Sequence, residues 1–404
     1  MPSKSQPKIL FGVSGGIAAY KAPDILHGWI KAGWEVETIL TKAAEQFVSP
    51  LVLSTLSKRR VWREEDFLSA DYGWKIPHIS LTEWADVFVV APCTGSVLRE
   101  CADGDSSTLL GAAMLANTKP LLLFPAMNSN MLANPAVQRH IKTVLEMRHT
   151  VIDPDSGVLA CGYEGKGRLP SAAVIDEYVC RALCKKKDMV GLRLLVTAGP
   201  THEYIDPVRY ISNPSSGRMG YAIASAAWRR GAEVTLVSGP VSLSPPVGVK
   251  VVNVVSAEQM YRACMDEAAH SDIIIKAAAV GDFRTESEAV QKIKRKKGEP
   301  MVLNLVQNKD IAAELGRIKR PGQLLVGFAA ETQDLRANAQ KKLIEKNLDM
   351  IAVNDVLAAG AGFGSETNTI AIISRGGAES EFSGSKDDAA DALLDAVMNK
   401  KNAD

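Results

Sequence analysis

One short pattern occurs twice in this chain, and it restricts the fold more than any other feature. Lys8-Ile-Leu-Phe-Gly-Val-Ser-Gly-Gly-Ile-Ala-Ala-Tyr-Lys21 leads to Lys31-Ala-Gly-Trp-Glu-Val-Glu-Thr-Ile-Leu-Thr41. Later, Leu192-Arg-Leu-Leu-Val-Thr-Ala-Gly-Pro200 runs through Ser215-Ser-Gly-Arg-Met-Gly-Tyr-Ala-Ile-Ala224 to Arg230-Gly-Ala-Glu-Val-Thr-Leu-Val-Ser238. Each copy reads as a strand, a Gly/Ser loop, a helix, a glycine stop and a second strand. That is a βαβ unit with its loop at the carboxyl edge of a sheet. A chain of 404 residues has room for two such domains.

Further short apolar runs follow each start: Asp86–Ala91 and Pro120–Pro125, then Asp272–Ala277, Gln323–Ala329 and Asp349–Asn354. Runs of this kind, separated by helical patterns, belong to parallel sheets covered on both faces. The expected fold is therefore α/β, with two Rossmann-like doubly wound domains. A helical stretch, Asp176–Cys184, ends in Lys185-Lys-Lys-Asp188, which marks the linker. The expected domains are residues 1–190 and 191–404. Residues 360–369 and 376–387 read as Gly/Ser-rich loops, and the tail from Asp387 as a helix.

Forty-seven basic residues stand against 46 acidic ones, a net charge of +1, so a broad basic face for nucleic acid is not expected. Six irregularly spaced cysteines without a CxxC pair exclude a disulfide framework and a thiolate zinc site. Ile9–Ala19 is apolar, but its three glycines and smooth continuation to Lys21 argue against a secretory signal. No stretch is apolar enough to span a membrane. A reduced, cytoplasmic, soluble chain is expected.

Ser14-Gly15-Gly16 sits where a strand hands over to a helix, so backbone N–H groups can approach a phosphate; a tight turn without a ligand is the competing reading. His78 follows Pro77. Asn128, in Pro125-Ala-Met-Asn128, ends an apolar run and carries both a donor and an acceptor suited to a carboxylate or amide. Ala160-Cys161-Gly162-Tyr-Glu-Gly165-Lys-Gly167-Arg168 joins one thiol to mobile glycines and two cations. Cys161 can act there as acid or nucleophile, and Arg168 or Lys166 can meet an anion.

Together these motifs, with Ala91-Pro-Cys-Thr94, resemble the flavin-dependent cysteine decarboxylases, and among them the phosphopantothenoylcysteine decarboxylases. The resemblance covers residues 8–170. It implies a trimer-forming domain that binds FMN between subunits. Ser14, Gly15, Gly16, Thr41, Pro92 and Thr94 would then hold the flavin. His78 would be the catalytic base or orienting group, Asn128 the clamp on the substrate carboxylate, and Cys161 the proton donor. Decarboxylation of a cysteinyl carboxylate needs an electron sink, which is the cofactor's contribution. The sequence departs from the family at Pro77, usually Gly, and at Ser107-Thr108, usually an Asn/Asp pair.

In the second half, Pro214-Ser-Ser-Gly217-Arg-Met-Gly220 opens a helix without the Gly-Lys-Ser/Thr ending of a phosphate-binding Walker loop. Lys292-Ile-Lys294-Arg-Lys-Lys297 is basic: such runs are mostly solvated faces, and as a binding site it suits a triphosphate better than nucleic acid; Asp282 is placed for Mg2+ or a nucleobase. Thr197-Ala-Gly-Pro-Thr201, Asp206-Pro-Val-Arg-Tyr-Ile-Ser-Asn213, Ala277-Ala-Ala-Val-Gly-Asp282, Gly327-Phe-Ala-Ala-Glu-Thr332 and Lys346-Asn-Leu-Asp349 complete a set that resembles phosphopantothenate–cysteine ligase.

That resemblance implies a dimeric enzyme using CTP and Mg2+ to activate phosphopantothenate as an acyl-cytidylate, which the amine of cysteine then attacks. Lys276, Ala277, Ala278, Asp282, Lys292, Asn308, Lys309, Asp310, Ile311, Phe328, Lys342 and Lys346 would line the nucleotide site. Asp282 would carry the metal. Lys292 would neutralise the α-phosphate and Asn213 would orient the acyl intermediate. Lys276 replaces a usually small residue, and His202 and Phe283 also differ from common forms. The whole reads as a homo-oligomer of a bifunctional enzyme, with a dodecamer as one assembly of trimeric and dimeric halves. It handles small molecules, neither nucleic acid nor membrane. A regulatory flavoprotein with a vestigial site is the alternative; a nicotinamide dehydrogenase lacks its glycine fingerprint.

Overall fold

The computed structural model describes residues 6–160, 162–294, 300–331, 335–355 and 367–403. The chain divides into two compact units, Met1–Cys184 and Lys185–Asp404.

The first unit is built on strands β1 (Lys8–Val13), β2 (Glu35–Leu40), β3 (Val61–Arg63), β4 (Val87–Cys93), β5 (Leu121–Pro125) and β6 (Thr150–Val151). They pair in parallel in the order β3-β2-β1-β4-β5-β6. Every residue of β4 and β5 is buried, because helices cover both faces. Helices Ala22–Lys31 and Ala172–Leu183 pack on one face, around Phe11, Trp29 and Phe124. Helices Pro77–Trp84, Gly95–Asp103, Leu109–Ala116 and Pro135–Glu146 pack on the other, around Leu10, Phe88 and Leu123. The chain leaves β1 toward one face and β4 toward the other. A crevice therefore opens between their carboxyl ends, where ligands bind in such sheets. A hairpin, β7 (Asp155–Val158) and β8 (Glu164–Arg168), follows the last strand. Its connection contains Cys161, which lies outside the described residues.

The second unit repeats the plan. Its strands are β9 (Arg193–Ala198), β10 (His202–Asp206), β11 (Arg209–Ser212), β12 (Glu233–Ser238), β13 (Lys250–Asn253), β14 (Ile273–Lys276), β15 (Phe283–Thr285), β16 (Leu305–Gln307), β17 (Leu324–Glu331), β18 (Met350–Asp355), β19 (Thr367–Ser374) and β20 (Glu379–Ser385). The main sheet runs β13-β12-β9-β14-β17-β18-β19-β20. Its first six strands are parallel and have the connectivity of the first unit, with the switch between β9 and β14. Helices Ala257–Ala268, Ile311–Ile318 and Leu335–Glu345 cover one face around Leu195, Ile274 and Leu325. Two antiparallel hairpins, β10–β11 and β15–β16, are inserted at the carboxyl side.

β19 and β20 correct the loop reading of the segments 360–369 and 376–387; residues 356–366 lie outside the described residues. Thr367–Ser374 is rich in Thr and Ile and pairs with β18 on one side and β20 on the other. β20 is polar because it is an edge strand with mostly solvated side chains, so composition mistook it for a loop.

Residues 185–190 pack with the second unit. Arg230, 1% exposed, donates to both oxygens of Asp188 (Nε–Oδ1 2.9 Å, Nη2–Oδ2 2.5 Å) and to Asp395 Oδ1 at 2.8 Å. Met189 N donates to Arg230 O at 3.3 Å.

Candidate active sites

At the first switch point a cavity of ≈520 Å³ opens between the β1 loop, the β5 loop and the β7–β8 hairpin. Gly15, Gly16, Thr94, Met127, Asn128 and Arg168 are among its lining residues. Gly15 and Gly167 are dictated by close approach. A Cβ on Gly15 would lie 2.4 Å from Ala43 Cβ, so the β1 and β2 loops touch through backbone there. A Cβ on Gly16 would make only an ordinary contact, with Thr94 Cγ2 at 3.5 Å, so close approach constrains Gly15 and not Gly16. A Cβ on Gly167 would lie 2.0 Å from Met127 O, which holds the hairpin against the Pro125-Ala-Met-Asn128 loop. Met127 N donates to Gly167 O at 3.0 Å.

Ser14 stitches the switch itself: its hydroxyl donates to Pro92 O at 2.7 Å and accepts from Thr94 N at 2.9 Å. It is fully buried and belongs to the cradle rather than to the cavity wall. Thr41 closes the next turn, accepting from Ala44 N. Cys93, between Pro92 and Thr94, is fully buried on the far face, and burial pushes its thiol well up. Asn128 caps the short helix Ser129–Ala133, its Oδ1 accepting from Asn130 N at 2.8 Å. Lys21, which sequence reasoning did not single out, lines the cavity beside Arg168. Its Nζ donates to Leu169 O at 3.1 Å, and burial and then Arg168 lower its pKa.

His78 stands elsewhere. Pro77 occupies the first position of helix Pro77–Trp84, where its ring fits the helix and its missing N–H costs nothing. That helix packs on the sheet face opposite the Ile17–Lys21 turn, and His78 is edge-on to Phe67 at 5.5 Å. His78 Nδ1 is buried without a hydrogen-bond partner among the described residues. Within one chain His78 and Asn128 do not share a cavity. At the other departure, Thr108 caps helix Leu109–Ala116 and donates to Glu100 Oε2 at 2.8 Å.

At the second switch point a cavity of ≈530 Å³ is lined by Lys276, Ala278, Asp282, Asn308, Lys309, Asp310, Ile311, Phe328, Lys342 and Lys346, with Gly327, Leu348 and Ile351 among its other walls. Asp310 caps helix Ile311–Ile318, accepting from Ala312 N and Ala313 N, and pairs with Lys346 at 2.9 Å. Lys309 pairs with Glu258 and lies over the Tyr261 ring. Asn308 Nδ2 donates to Gly281 O at 2.8 Å, and Asn308 N to Asp282 O at 2.8 Å. Asn213 Nδ2 donates to Val280 O at 3.0 Å, and Thr201 Oγ1 accepts from Gly281 N at 2.9 Å. The loop that presents Asp282 is thus fixed from three sides.

Ala277, Lys292 and Asn213 are not among the lining residues. Asn213 acts on the wall through Val280. The segment carrying Lys292 is held by a device the sequence did not reveal. Asp206, 0% exposed, accepts from Val208 N, Arg209 N, the Arg209 guanidinium and Ile293 N, the last at 3.1 Å. The Arg209 hydrogen bonds hold its carboxyl well below the usual range. Asp206 and Arg209, which also donates to Ile293 O at 3.0 Å, therefore pin the segment carrying Lys292 to the β10–β11 hairpin.

Two doubly wound units, each with its cavity at the switch point, define a two-domain α/β protein. Residues 2–184 match the Flavoprotein family, and residues 189–400 match the DNA/pantothenate metabolism flavoprotein C-terminal domain. The coenzyme A biosynthesis bifunctional protein CoaBC of Vibrio cholerae is 41% identical over 399 residues, 98% of either chain. The Bacillus subtilis protein of that name is 43% identical over 377 residues, 93% of this chain and 92% of its own. The solved C-terminal domain of a CoaBC protein is 40% identical and covers 54% of this chain and 100% of its own, with a TM-score of 0.47. This chain belongs to the family of bifunctional coenzyme A biosynthesis proteins. Among the described residues no helix is long and apolar enough to cross a membrane.

Proposed function

We propose that the chain carries out two consecutive steps of coenzyme A biosynthesis. The second unit joins cysteine to 4′-phosphopantothenate with CTP, and the first decarboxylates the product to 4′-phosphopantetheine with FMN. The observation that carries the reading is the convergence of ten motif residues from four separate stretches on one cavity in a chain related to bifunctional enzymes along nearly its full length. The regulatory alternative is not favoured by that relationship.

In the ligase unit, carboxylate and amine do not condense in water, so the carboxylate must first be activated. Lys309, Lys342 and Lys346 offer charge to a triphosphate, and Asp282 offers one carboxylate to Mg2+, which takes few protein ligands when phosphates supply the rest. Lys292, anchored by Asp206, meets the α-phosphate as charge builds there. Asn213 keeps the loop wall in place for attack by the amine.

In the decarboxylase unit, the Gly15–Gly16 turn, Thr94 and the apolar wall of Ile17, Ala18 and Met127 fit a flat ring bearing a phosphate. FMN bound there supplies the electron sink. Asn128 holds the substrate carboxylate, and Cys161 delivers a proton. His78 reaches a site only if a second copy brings it there, which accords with a trimer binding FMN between subunits. The reading takes the enzyme to be a cytoplasmic homo-oligomer.

The test is one preparation of the full chain, assayed for flavin absorbance, pyrophosphate release and CO2 release with phosphopantothenate, cysteine and CTP. All three are expected. A colourless folded protein, or one releasing neither product, would overturn the reading.

A further inference from the structure

Lys276 is the last residue of β14, and its side chain continues a buried stripe. Along the strand it lies two residues beyond Ile274, and its register partners are Thr197 on β9 and Gly327 on β17. That face carries the apolar cluster of Leu195, Met260, Cys264, Ile274, Leu325 and Ile351. A lysine at the top of such a stripe is 9% exposed. Among the described residues it makes no hydrogen bond and no ion pair. The other charged groups around it are committed: Asp310 to Lys346 and to the helix it caps, Lys309 to Glu258. Burial, offset in part by Cys264 and Asp310 and reinforced by Lys346, lowers its pKa.

An amine buried without a partner costs the fold free energy unless something else meets it. Among the described residues, Lys276 lines the cavity at the second switch point. Around it the floor is apolar: Gly327, Leu348 and Ile351 adjoin it, and a Cβ on Gly327 would lie 2.8 Å from Leu348 Cδ1. Such a floor, with the Lys276 amine beside it, suits a flat heterocycle, whereas a triphosphate needs several donors. The remaining lysines, Lys309, Lys342 and Lys346, are better matched to phosphate.

We infer that Lys276 is a specificity-determining residue of this chain, whose amine donates to an acceptor atom, a ring nitrogen or carbonyl oxygen, on the edge of the nucleotide's base. The inference rests on the nucleotide reading of this cavity. A donor at this point favours bases that turn an acceptor toward it and penalises those that turn an N–H.

The test uses the full chain and Lys276→Met, which keeps length and removes the donor, with Lys276→Gln as a second variant. Dissociation constants are measured for CTP, UTP, ATP, CMP and cytidine. Loss of a charged hydrogen bond should weaken CTP on the order of 10–100-fold. The same factor should appear for CMP and cytidine, and the ranking of CTP against UTP should change. Free Lys276→Met should also melt higher than the native chain, because a buried amine has been replaced by an apolar group. A loss that is equal for all triphosphates and vanishes for cytidine would place the amine on phosphate and overturn the inference. So would unchanged binding, or a lower melting temperature in both variants. If the native chain bound no nucleotide at all, the ligase reading itself would fall.

Discussion

The two units are one plan carried out twice, and their differences lie beyond the sheet. In both, six parallel strands follow the same order and a cavity opens where the order reverses. In the first, the walls are glycines, methionines and apolar side chains, with Lys21 and Arg168 as cations. In the second, four lysines and two carboxylates face the cavity, and the loop carrying Asp282 is braced from three sides. A shared sheet fixes where a site lies. The inserted hairpins and strand-end residues decide what it handles.

The largest expected effect separates the two steps within the ligase unit. Lys292→Gln should slow formation of the acyl-cytidylate on the order of 10²–10³-fold. Asn213→Asp loses the donor to Val280 O and should let the intermediate form and then stall. Mass analysis of quenched mixtures of CTP and phosphopantothenate distinguishes them. An intermediate from the lysine variant and none from a folded asparagine variant would reverse the roles.

Asp206→Asn comes next. It weakens the charged acceptor for Arg209 and Ile293, so the segment bearing Lys292 loosens. Pyrophosphate release should fall on the order of 10–100-fold, the worth of a charged hydrogen bond, while CO2 release from supplied phosphopantothenoylcysteine stays unchanged. Equal loss of both activities would show that the pin serves the whole chain.

Gly15→Ala sharpens the comparison from the other side. Its methyl would collide with Ala43 backbone, 2.6 Å from the carbonyl carbon, and overpacking of this kind costs about 1–3 kcal/mol. Flavin should be retained less well by about tenfold, an effect corresponding to about 1.4 kcal/mol, with pyrophosphate release intact. Full retention of flavin on gel filtration would remove the turn from the cofactor cradle.

The smallest effect concerns the boundary. A fragment beginning at Lys185 keeps Asp188 on Arg230; one beginning at Gly191 leaves Arg230 with Asp395 and the carbonyl of Asp391. The shorter fragment should melt a few degrees lower, since about 1 kcal/mol shifts a domain of this size by roughly 2–4 °C. Identical melting would show that the segment 185–190 adds nothing to the unit.

The doubled fold was legible because both βαβ starts repeat their glycines, and buried strands such as Val87–Cys93 are unbroken apolar runs. β20 was not, because an edge strand exposed to water has the composition of a loop. The lining of the second cavity was largely legible through its motifs, since ten of the twelve residues they pointed to line it. The work of Asp206 was not, since its partners Arg209 and Ile293 lie on different segments and only folding joins them. Nor could the sequence separate His78 from Asn128. Which face of a sheet a helix covers is set by chain crossing, and residue type does not record it.

The central claim is that two chemistries occupy two equivalent switch points and run independently. Asn128→Asp tests it most directly, since aspartate still caps helix Ser129–Ala133 but repels a substrate carboxylate. The variant is given phosphopantothenate, cysteine and CTP, and pyrophosphate and CO2 are followed in one vessel. Pyrophosphate should appear at the native rate, phosphopantothenoylcysteine should accumulate, and CO2 should be absent. Undiminished CO2, or the loss of both products from a folded protein, would contradict it.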